Sequence, residues 1–410
     1  MNGSGKRLKG CRIALLYPHA DLQTNPGLLA LLYALAGEGA HLCLYMTRKG
    51  RYPYAAGPFE IRPFPGEIRL WSGSLAETLA NWAKPLQGSL RGRRNLFSRR
   101  FDLVVGVNSE GIIAAERYAR LFGVPLLYLS YEIFFRKELI SPVDIREKDR
   151  EIEASRRADL VVIQDEERAA LLAKENSLSD SRFALLPVSP GGEADGGRTD
   201  WLNRRFGIRE DIKIVIHAGS FEDWTCAREL LETTGDWPEN ALLVVHTRYE
   251  AKNMHRYEDI LKGNRAGRVI FSLKPLPTDE YGLMLRSAHI GLVLYKKTTG
   301  GRYSKYQGEN IMNIGLSSGK FASYMKYGLP TVSLGQRTYR RLLGEYRFGC
   351  DIDTIGEIPD AIGRILASYD LHSREAKRLF AERLRFDLHW PRLREKIVGL
   401  IRQGQGGHDP

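Results

Sequence analysis

The chain has 410 residues, 43% of them hydrophobic and 27% charged, and a mass of 46.4 kDa. This length exceeds what one hydrophobic core normally serves, so two domains are expected, and the apolar content excludes overall disorder. No run of about 18 apolar residues is present, which excludes a membrane-spanning helix. The basic start of the chain leads into a strand-like run without a cleavage site, so we expect no signal peptide.

Positive charge is concentrated in the first quarter of the chain. The sequence has 61 Lys and Arg against 49 Asp and Glu, and residues 1–100 hold 15 of the former and 5 of the latter. This asymmetry indicates either an anionic partner (a phosphorylated acceptor, a membrane surface or nucleic acid) or a well-solvated basic face. The cysteines form no CxxC pair, so the sequence predicts neither a disulfide framework nor a zinc site and is typical of the cytosol. They are Cys11, Cys43, Cys226 and Cys350.

Apolar runs and helical stretches alternate in the first half of the chain. Helices are predicted at 27–38 and 111–122, and strands at 11–17, 41–46, 101–107, 125–130 and 158–164. Continuous apolar strands that alternate with helices predict a parallel sheet covered on both faces.

A proline- and glycine-rich stretch interrupts this alternation. Residues 187–199 contain two prolines and four glycines, which predicts a linker. The alternation then resumes, with a final helical, arginine-rich stretch at 373–403 and strands at 213–217, 241–246, 269–273, 290–295 and 330–334. In open parallel sheets ligands bind at the carboxyl ends of the strands, so the residues that follow each strand are the candidates for function.

The strongest local signal lies in residues 313–333. A turn of Ser317, Ser318 and Gly319 precedes a helix predicted to start near Lys320 and to stop at Gly328. Small residues at a helix start let backbone N–H groups approach an anion, and Lys320 adds a cation where helix energetics alone would favour an acid. The pattern therefore predicts a phosphate- or diphosphate-binding turn. An ordinary serine cap beside a solvated lysine is the alternative.

This segment resembles the S-x-K-x-x-E-Y-x-x-x-G-x-P-V signature of GT-B glycosyltransferases of the family-4, "group 1" type. Residues 213–221 resemble the first strand and glycine turn of that family's nucleotide-sugar domain, and residues 269–295 resemble its later strands. Residues 153–170 resemble the helix and strand that close its acceptor domain.

The resemblance implies an α/β fold of the GT-B type, with two Rossmann-like, doubly wound domains facing a central cleft. The expected parts are an acceptor-binding domain at 1–186, a linker at 187–200, a nucleotide-sugar-binding domain at 201–385 and a C-terminal helix at 386–410 that crosses back to the first domain. It also implies a metal-independent hexosyltransferase that uses a nucleotide-diphosphate sugar and needs no other cofactor.

The same resemblance places the donor's diphosphate at the glycine turn and the serine-rich turn. The donor-binding candidates are Gly219, Ser220, Lys274, Glu309, Asn313, Ser317, Ser318, Gly319, Lys320 and Ser323. Lys320 is also a catalytic candidate, because charge on the departing diphosphate must be neutralised.

Two departures from the family pattern concern charge. Ser323 stands where the signature has a glutamate that binds the donor's ribose, and Glu309 is a possible substitute. Ser220 follows the glycine where an arginine is usual, and Trp224 or Thr225 occupies the place of a lysine. Lys320, followed by Arg302 and Lys305, would then supply the positive charge, and retention of the anomeric configuration stays open.

Acceptor-binding candidates follow the strands of the first half: His19, Asn108, Glu110 and Tyr131. Glu110 and Glu132 are the catalytic candidates, since a carboxylate within about 3 Å of an acceptor hydroxyl could deprotonate it. Both could instead be acids favoured by a helix dipole, and His19 could be an ordinary polar histidine. His217 and His246 end strands without a metal-binding pattern and are predicted to be structural or to contact the donor.

Residues 68–100 combine leucine and tryptophan with a cluster of arginines, as a peripheral membrane patch requires, although an amphipathic helix packed on the sheet would look the same. We expect a glycan acceptor, in the first place a polyprenyl-diphosphate-linked one used in surface polysaccharide biosynthesis, with the enzyme in the cytoplasm at the inner face of a membrane. The rivals are a transferase with a small-molecule acceptor, a sugar-nucleotide epimerase of the same fold and a non-catalytic nucleotide-sugar-binding partner. Without a nucleic-acid-binding signature, we expect no nucleic acid.

Overall fold

The computed structural model describes residues 6–20, 22, 25–47, 57–65, 90–247, 257, 267–298 and 304–406. The chain forms two compact units, Met1–Val188 with His389–Pro410 and Ser189–Leu388. It therefore passes from one unit to the other twice, after Val188 and after Leu388.

The first unit contains a seven-stranded parallel sheet with helices between its strands. The strands are β1 (Arg12–Tyr17), β2 (His41–Met46), β3 (Phe59–Pro63), β4 (Leu103–Val107), β5 (Leu126–Leu129), β6 (Leu160–Ile163) and β7 (Phe183–Leu185). They lie in the order β3-β2-β1-β4-β5-β6-β7. The helices are α1 (Pro26–Gly37), α2 (Asn108–Phe122), α3 (Pro142–Arg156) and α4 (Glu166–Asn176), with a further helical segment at 90–97 and short 3-10 turns at Arg136–Glu138 and Asp180–Arg182.

The second unit repeats this plan with six parallel strands. They are β8 (Lys213–Ala218), β9 (Ala241–His246), β10 (Val269–Ser272), β11 (Ile290–Val293), β12 (Thr331–Leu334) and β13 (Gly349–Ile352), in the order β10-β9-β8-β11-β12-β13. The helices are α5 (Trp201–Phe206), α6 (Ala227–Thr233), α7 (Thr278–Ser287), α8 (Glu309–Met312), α9 (Gly319–Lys326), α10 (Arg337–Glu345), α11 (Ile358–Ala367) and α12 (Tyr369–Leu379). Short 3-10 turns lie at Asp223–Thr225, Thr234–Asp236, Ser304–Tyr306, Gly315–Ser317 and Ile355–Glu357.

Both sheets follow the strand order 3-2-1-4-5-6 of the Rossmann fold. In such a sheet the direction of winding reverses between the first and fourth strands, and ligands bind in the crevice at that point. The reversal lies between β1 and β4 in the first unit and between β8 and β11 in the second. These two places are where the fold itself positions candidate sites.

Glycines allow close packing of strand and helix at the first of these places. A Cβ on Gly106 would lie 2.4 Å from Ile112 Cα, and one on Gly111 would lie 2.4 Å from the Leu16 carbonyl oxygen. Helix α2 therefore packs directly on β1 and β4, which brings its N-terminus to the ends of these strands.

In the second unit a tyrosine joins the helix to the strands. The Tyr324 hydroxyl accepts a hydrogen bond from the Ala218 N–H at 2.9 Å and lies 3.4 Å from the Ile216 carbonyl oxygen. A Cβ on Gly291 would lie 2.4 Å from the Tyr324 ring, so the absence of a side chain there lets the ring pack on β11. Helix α9 is thereby fixed across β8 and β11.

The sequence patterns located ten strands but not three others, β3, β7 and β13. These three lie at or beside sheet edges, as the strand orders show. Most of their residues are only partly buried, so they lack the continuous apolar runs of the central strands. Each is recognised only by its pairing with a neighbouring strand.

The predicted helix at 373–403 is interrupted. Helix α12 continues into a π-helical turn at Phe380–Leu384, and the chain then starts α13 (Phe386–Gly406), which contains Pro391. Within the first unit, Arg394 of α13 pairs with Glu38 at 2.8 Å and Lys396 donates to the Phe183 carbonyl oxygen at 3.2 Å.

Residues 187–200, the predicted linker, have no regular secondary structure. Residues from Ser189 onward belong to the second unit, and several of them hydrogen-bond to other parts of it. The Asp195 N–H donates to the Lys326 carbonyl oxygen at 2.8 Å, the Thr199 hydroxyl donates to the Leu283 carbonyl oxygen at 2.7 Å, and Arg198 binds the Ser287 carbonyl oxygen at 2.9 Å. Within the described part of the chain, no helix is long and apolar enough to cross a membrane.

Candidate functional site

The glycine turn after β8 lies at the reversal point of the second sheet. Gly219 has a φ of +124°, in the region that favours glycine, and its N–H donates to the His246 carbonyl oxygen at 2.9 Å. A Cβ at this position would lie 3.6 Å from Lys320 Cε and 3.7 Å from Lys320 Nζ. The glycine turn and the serine-rich turn predicted from sequence therefore meet in space.

The start of helix α9 is held by a serine cap. The Ser318 hydroxyl accepts a hydrogen bond from the Phe321 N–H at 3.4 Å and lies 2.9 Å from the Tyr295 hydroxyl. Ser317 ends the preceding 3-10 turn, and Gly319 is the first residue of the helix. These contacts hold Lys320 in the first helical turn, beside the end of β11.

Lys320 has an enclosed amino group. Its Nζ atom is buried and has no hydrogen-bond partner among the described residues, although the residue as a whole is partly exposed. The nitrogen lies 5.0 Å from the centre of the Tyr295 ring, a cation–π distance. Burial of the amino group lowers the pKa of Lys320 to about 7, because removal from water disfavours the charged form.

His217, at the end of β8, is buried close to this lysine. Its Nε2 lies 2.8 Å from the Ser220 carbonyl oxygen, which can only accept, so Nε2 carries the proton. Nδ1 is buried without a hydrogen-bond partner among the described residues. Burial, and then the nearby Lys320 charge, hold the pKa of His217 well below its usual value, so the ring is neutral.

The other donor-binding candidates have structural contacts of their own. The Ser323 hydroxyl donates to the Gly319 carbonyl oxygen at 2.8 Å within helix α9. Glu309 lies 3.5 Å from Lys297, and the Asn313 amide donates to the Glu309 carbonyl oxygen at 2.8 Å. The Ser220 carbonyl oxygen is part of the glycine turn and accepts a hydrogen bond from the Thr225 hydroxyl at 3.1 Å. Lys274 is exposed beyond the end of β10. The structure thus groups Gly219, Ser318 and Lys320 around Tyr295.

Sequence patterns did not single out Tyr295 or Cys226 as parts of this site. Tyr295 follows β11 at the reversal point, and its ring stacks on Trp224 with centres 6.0 Å apart and planes 6° apart. Cys226 is buried near Lys320, and burial together with Glu229 raises its pKa to about 12. The signal available for Tyr295 was its position as the last residue of the predicted strand at 290–295.

In the first unit, three of the acceptor-binding candidates form a connected cluster at the other reversal point. Asn108 follows β4 and has a φ of +56°, which is strained for a residue with a side chain. Its Oδ1 accepts from the Tyr131 N–H at 2.8 Å, and its Nδ2 lies 3.5 Å from His19 Nε2. His19, Asn108 and Tyr131 follow β1, β4 and β5, three adjacent strands.

The two catalytic candidates lie next to this cluster along the chain. Glu110 is in the first turn of α2 and Glu132 follows Tyr131, and both are partly buried. A buried arginine braces this loop, since Arg168 donates to the Tyr131 carbonyl oxygen at 2.8 Å and to Gln164 Oε1 at 2.9 Å. Sequence reasoning did not predict this role for Arg168, and its position in a helical, charged segment gave no signal for it.

Some predicted features fall outside the described residues. They are Arg302 and most of the 68–100 patch, of which residues 90–100 are described. Over the described ranges, no group of three or more His, Cys, Asp or Glu side chains is arranged to hold a metal ion.

No protein-family model and no curated protein matches the chain. Solved structures are similar to it over nearly its whole length. Sucrose-phosphate synthase from Thermosynechococcus elongatus has a TM-score of 0.70 at 15% identity, covering 97% of this chain and all of that one. HepE from Anabaena, in complex with UDP, has a TM-score of 0.65 at 11% identity, with 95% and 100% covered.

A third similar structure is an α,α-trehalose-phosphate synthase (UDP-forming) from Burkholderia xenovorans in complex with glucose-6-phosphate. Its TM-score is 0.61 at 13% identity, and the match covers 95% of this chain and 100% of that one. The likeness extends through both Rossmann-type units, each with its own parallel sheet. Together with the two strand orders, it shows that the chain has the GT-B fold.

Proposed function

We propose that this protein is a glycosyltransferase that moves a sugar from a nucleotide-diphosphate sugar to an acceptor. The observation that carries the proposal is the enclosed amino group of Lys320, which has no hydrogen-bond partner in the described residues and faces the bare backbone of Gly219. A buried donor without an acceptor is costly unless a ligand supplies one. Its position at the reversal point of a Rossmann-type sheet, at a helix start, favours a phosphate group as that ligand.

The chemistry assigned to these residues is electrostatic. When the bond between the sugar and the diphosphate breaks, negative charge develops on the departing phosphate. Lys320 and the N-terminus of α9 would stabilise this negative charge, and Gly219 would let the phosphate approach the backbone. We propose no metal ion for this step, because these groups supply positive charge themselves. Three of the structures similar to this one, all of HepE, hold UDP, UDP with glucose, or UDP-glucose, which supports a uridine donor as the first to test.

On the acceptor side we propose Glu110 or Glu132 as the base, with His19, Asn108 and Tyr131 binding the acceptor. The basic first quarter of the chain favours an anionic acceptor. Our first choice remains a polyprenyl-diphosphate-linked glycan of surface polysaccharide biosynthesis. A sugar phosphate is the second, since the trehalose-phosphate synthase of the same fold was solved with glucose-6-phosphate.

We further propose that the enzyme works in the cytoplasm with a peripheral membrane contact. Exposed apolar side chains of Leu90, Phe97 and Leu121 accompany the arginines of residues 91–100 in the first unit. This combination suits an anionic lipid surface. Co-sedimentation with vesicles that contain anionic lipid should decrease when Leu90 and Phe97 are replaced by Ser, and unchanged sedimentation would contradict the proposed contact.

A non-catalytic nucleotide-sugar-binding role is the second candidate. The Ser323 hydroxyl, at the place of the family's ribose-binding glutamate, already donates within its own helix. Slow hydrolysis of a bound donor without acceptor would argue against this role, because a pure binding protein would leave the donor intact.

The deciding experiment is a thermal-shift panel of UDP, GDP, dTDP, CDP and their common sugars on wild type and on Lys320→Met, which keeps the side-chain length. We expect one diphosphate to raise the melting temperature of the wild type but not of the variant. Lys326→Met is the matched control on the last turn of the same helix and should keep the shift. If no nucleotide shifts the folded wild-type protein, the proposed function is wrong.

A further inference from the structure

The surroundings of the Lys320 amino group contain neutral groups where a buried cation would need an anion. The groups that face it in the described residues are His217 from β8, Cys226 before α6, and Tyr295 after β11. Lys296 and Glu229 form an ion pair whose charges act in opposite directions on Cys226, and Glu229 Oε2 is buried without a hydrogen-bond partner among the described residues. None of these contacts neutralises a charged lysine.

We propose that Lys320 is uncharged in the ligand-free protein above neutral pH and takes up one proton there when the diphosphate of the donor binds. The proton passes from solvent to the lone pair of Nζ, and no covalent bond of the donor changes in this step. Binding of the diphosphate thus produces the positive charge on Lys320 that the diphosphate requires. This inference rests on the proposed function and adds to it how the donor's charge is recognised.

The neighbours of Lys320 neither provide nor remove this proton. His217 is already neutral, because burial holds its pKa well below its usual value. Cys226 stays a thiol, because burial raises its pKa to about 12. Of these three described groups, Lys320 is the one that titrates near neutral pH, since burial lowers its pKa to about 7.

A bound diphosphate reverses the preference of Nζ for its neutral form. Its negative charge favours the ammonium form, so the pKa of Lys320 rises in the complex. The number of protons taken up on binding then depends on the fraction of ligand-free molecules in which Lys320 is uncharged. From a pKa of about 7, we expect about half a proton per site at pH 7 and nearly a whole proton at about pH 8.5.

This arrangement also accounts for the lack of an arginine and a lysine after the glycine turn. Where the resembling family places a fixed arginine and lysine after the glycine turn, this chain has Ser220 and Trp224 or Thr225. A permanently charged group in so enclosed a place would be costly without a partner. A lysine that gains its charge on binding avoids that cost in the ligand-free state.

The test is isothermal titration calorimetry with UDP-glucose and GDP-mannose, whose diphosphate diesters do not ionise near neutral pH. Titrations in HEPES and in Tris, which differ in ionisation enthalpy, measure the protons taken up, between about pH 6 and pH 8.5. We expect uptake to grow with pH, and the affinity to fall above pH 7 toward tenfold per pH unit. Lys320→Arg, whose guanidinium stays charged, should show a flat pH profile without proton uptake if it binds.

The possible results separate the two proposals. Binding to the wild type with no proton uptake at any pH overturns this inference and leaves the proposed function standing. Binding that falls with pH equally in wild type and in Lys320→Arg assigns the titration to another group and also overturns it. No binding of either sugar nucleotide overturns the proposed function together with the inference.

Discussion

Asn108 combines backbone strain with two side-chain contacts. Its φ of +56° is unfavourable for any residue with a Cβ, yet its amide accepts from the Tyr131 N–H and reaches toward His19. The side chain therefore holds two loops of the first unit together at the point where an acceptor is expected.

This strain predicts an unusual order of stabilities at position 108. Asn108→Ala loses the hydrogen bond to Tyr131 and keeps the strain, whereas Asn108→Gly loses the same bond and relieves the strain. We expect the alanine variant to be less stable than the glycine variant by about 1 kcal/mol in urea unfolding. Equal stabilities would show that the left-handed backbone at this position is not strained.

The buried Lys320 predicts how stability depends on pH. Its pKa is lowered to about 7 in the folded protein and is about 10.4 in the unfolded chain, so between these values the unfolded state binds more protons. The free energy of unfolding should therefore rise with pH over this window. Below about pH 7 the buried charge destabilises the fold fully.

Lys320→Met removes this titration. The variant should be more stable than wild type by up to about 4 kcal/mol at or below pH 7, and the difference should shrink as the pH approaches 10. Urea unfolding at a series of pH values measures it. A difference that stays constant with pH would mean that the amino group is not buried.

At the scale of elements, each unit has a helix whose N-terminus is fixed against the ends of two strands. Helix α2 achieves this through glycines at its contact with β1 and β4, and α9 through the Tyr324 hydroxyl and the space at Gly291. The site in the second unit depends on this attachment, because Gly219 directly follows β8 and Lys320 lies on α9. A small shift of the helix would separate them.

Tyr324→Phe tests this attachment. The variant leaves the buried Ala218 N–H without its acceptor, which should lower the free energy of unfolding by about 1 to 3 kcal/mol. We expect weaker nucleotide binding as well, since Ala218 directly precedes the glycine turn. Tyr346→Phe, which loses a bond to the exposed Glu382, is the control and should keep nucleotide affinity. Unchanged affinity in Tyr324→Phe would argue against a role for this bond in positioning the site.

At the scale of the whole molecule, the two compact units have separate cores, and the end of the chain belongs to the first. Ile397 of α13 is buried in the first unit, and Leu379 of α12 is buried in the second. A substitution in the core of one unit should therefore destabilise that unit and leave the core of the other unchanged.

These two residues predict selective effects on thermal unfolding. Ile397→Ala and Leu379→Ala each remove about the same volume from a core and should cost about 2 to 5 kcal/mol. In calorimetry we expect two overlapping transitions, with Ile397→Ala lowering one and Leu379→Ala lowering the other. If both variants lower the same single transition, the two units unfold as one cooperative body.

The central strands, the division into two α/β halves and the turn at Ser317–Gly319 follow from the sequence by itself, because continuous apolar runs and helix caps are local patterns. The edge strands β3, β7 and β13 do not, since pairing with a neighbour, and not their own composition, makes them strands. Lys320 was likewise identifiable as a candidate from its place in a motif.

Only the tertiary structure decided what surrounds that lysine. Gly219, Tyr295 and Lys320 lie far apart in the chain, and parallel strands β8 and β11 bring them together. Burial and the lack of an acceptor for Nζ, which lower its pKa, are properties of that packing. The type of each residue is known from the sequence, but its charge state depends on its exposure to solvent and on the groups that the fold places beside it.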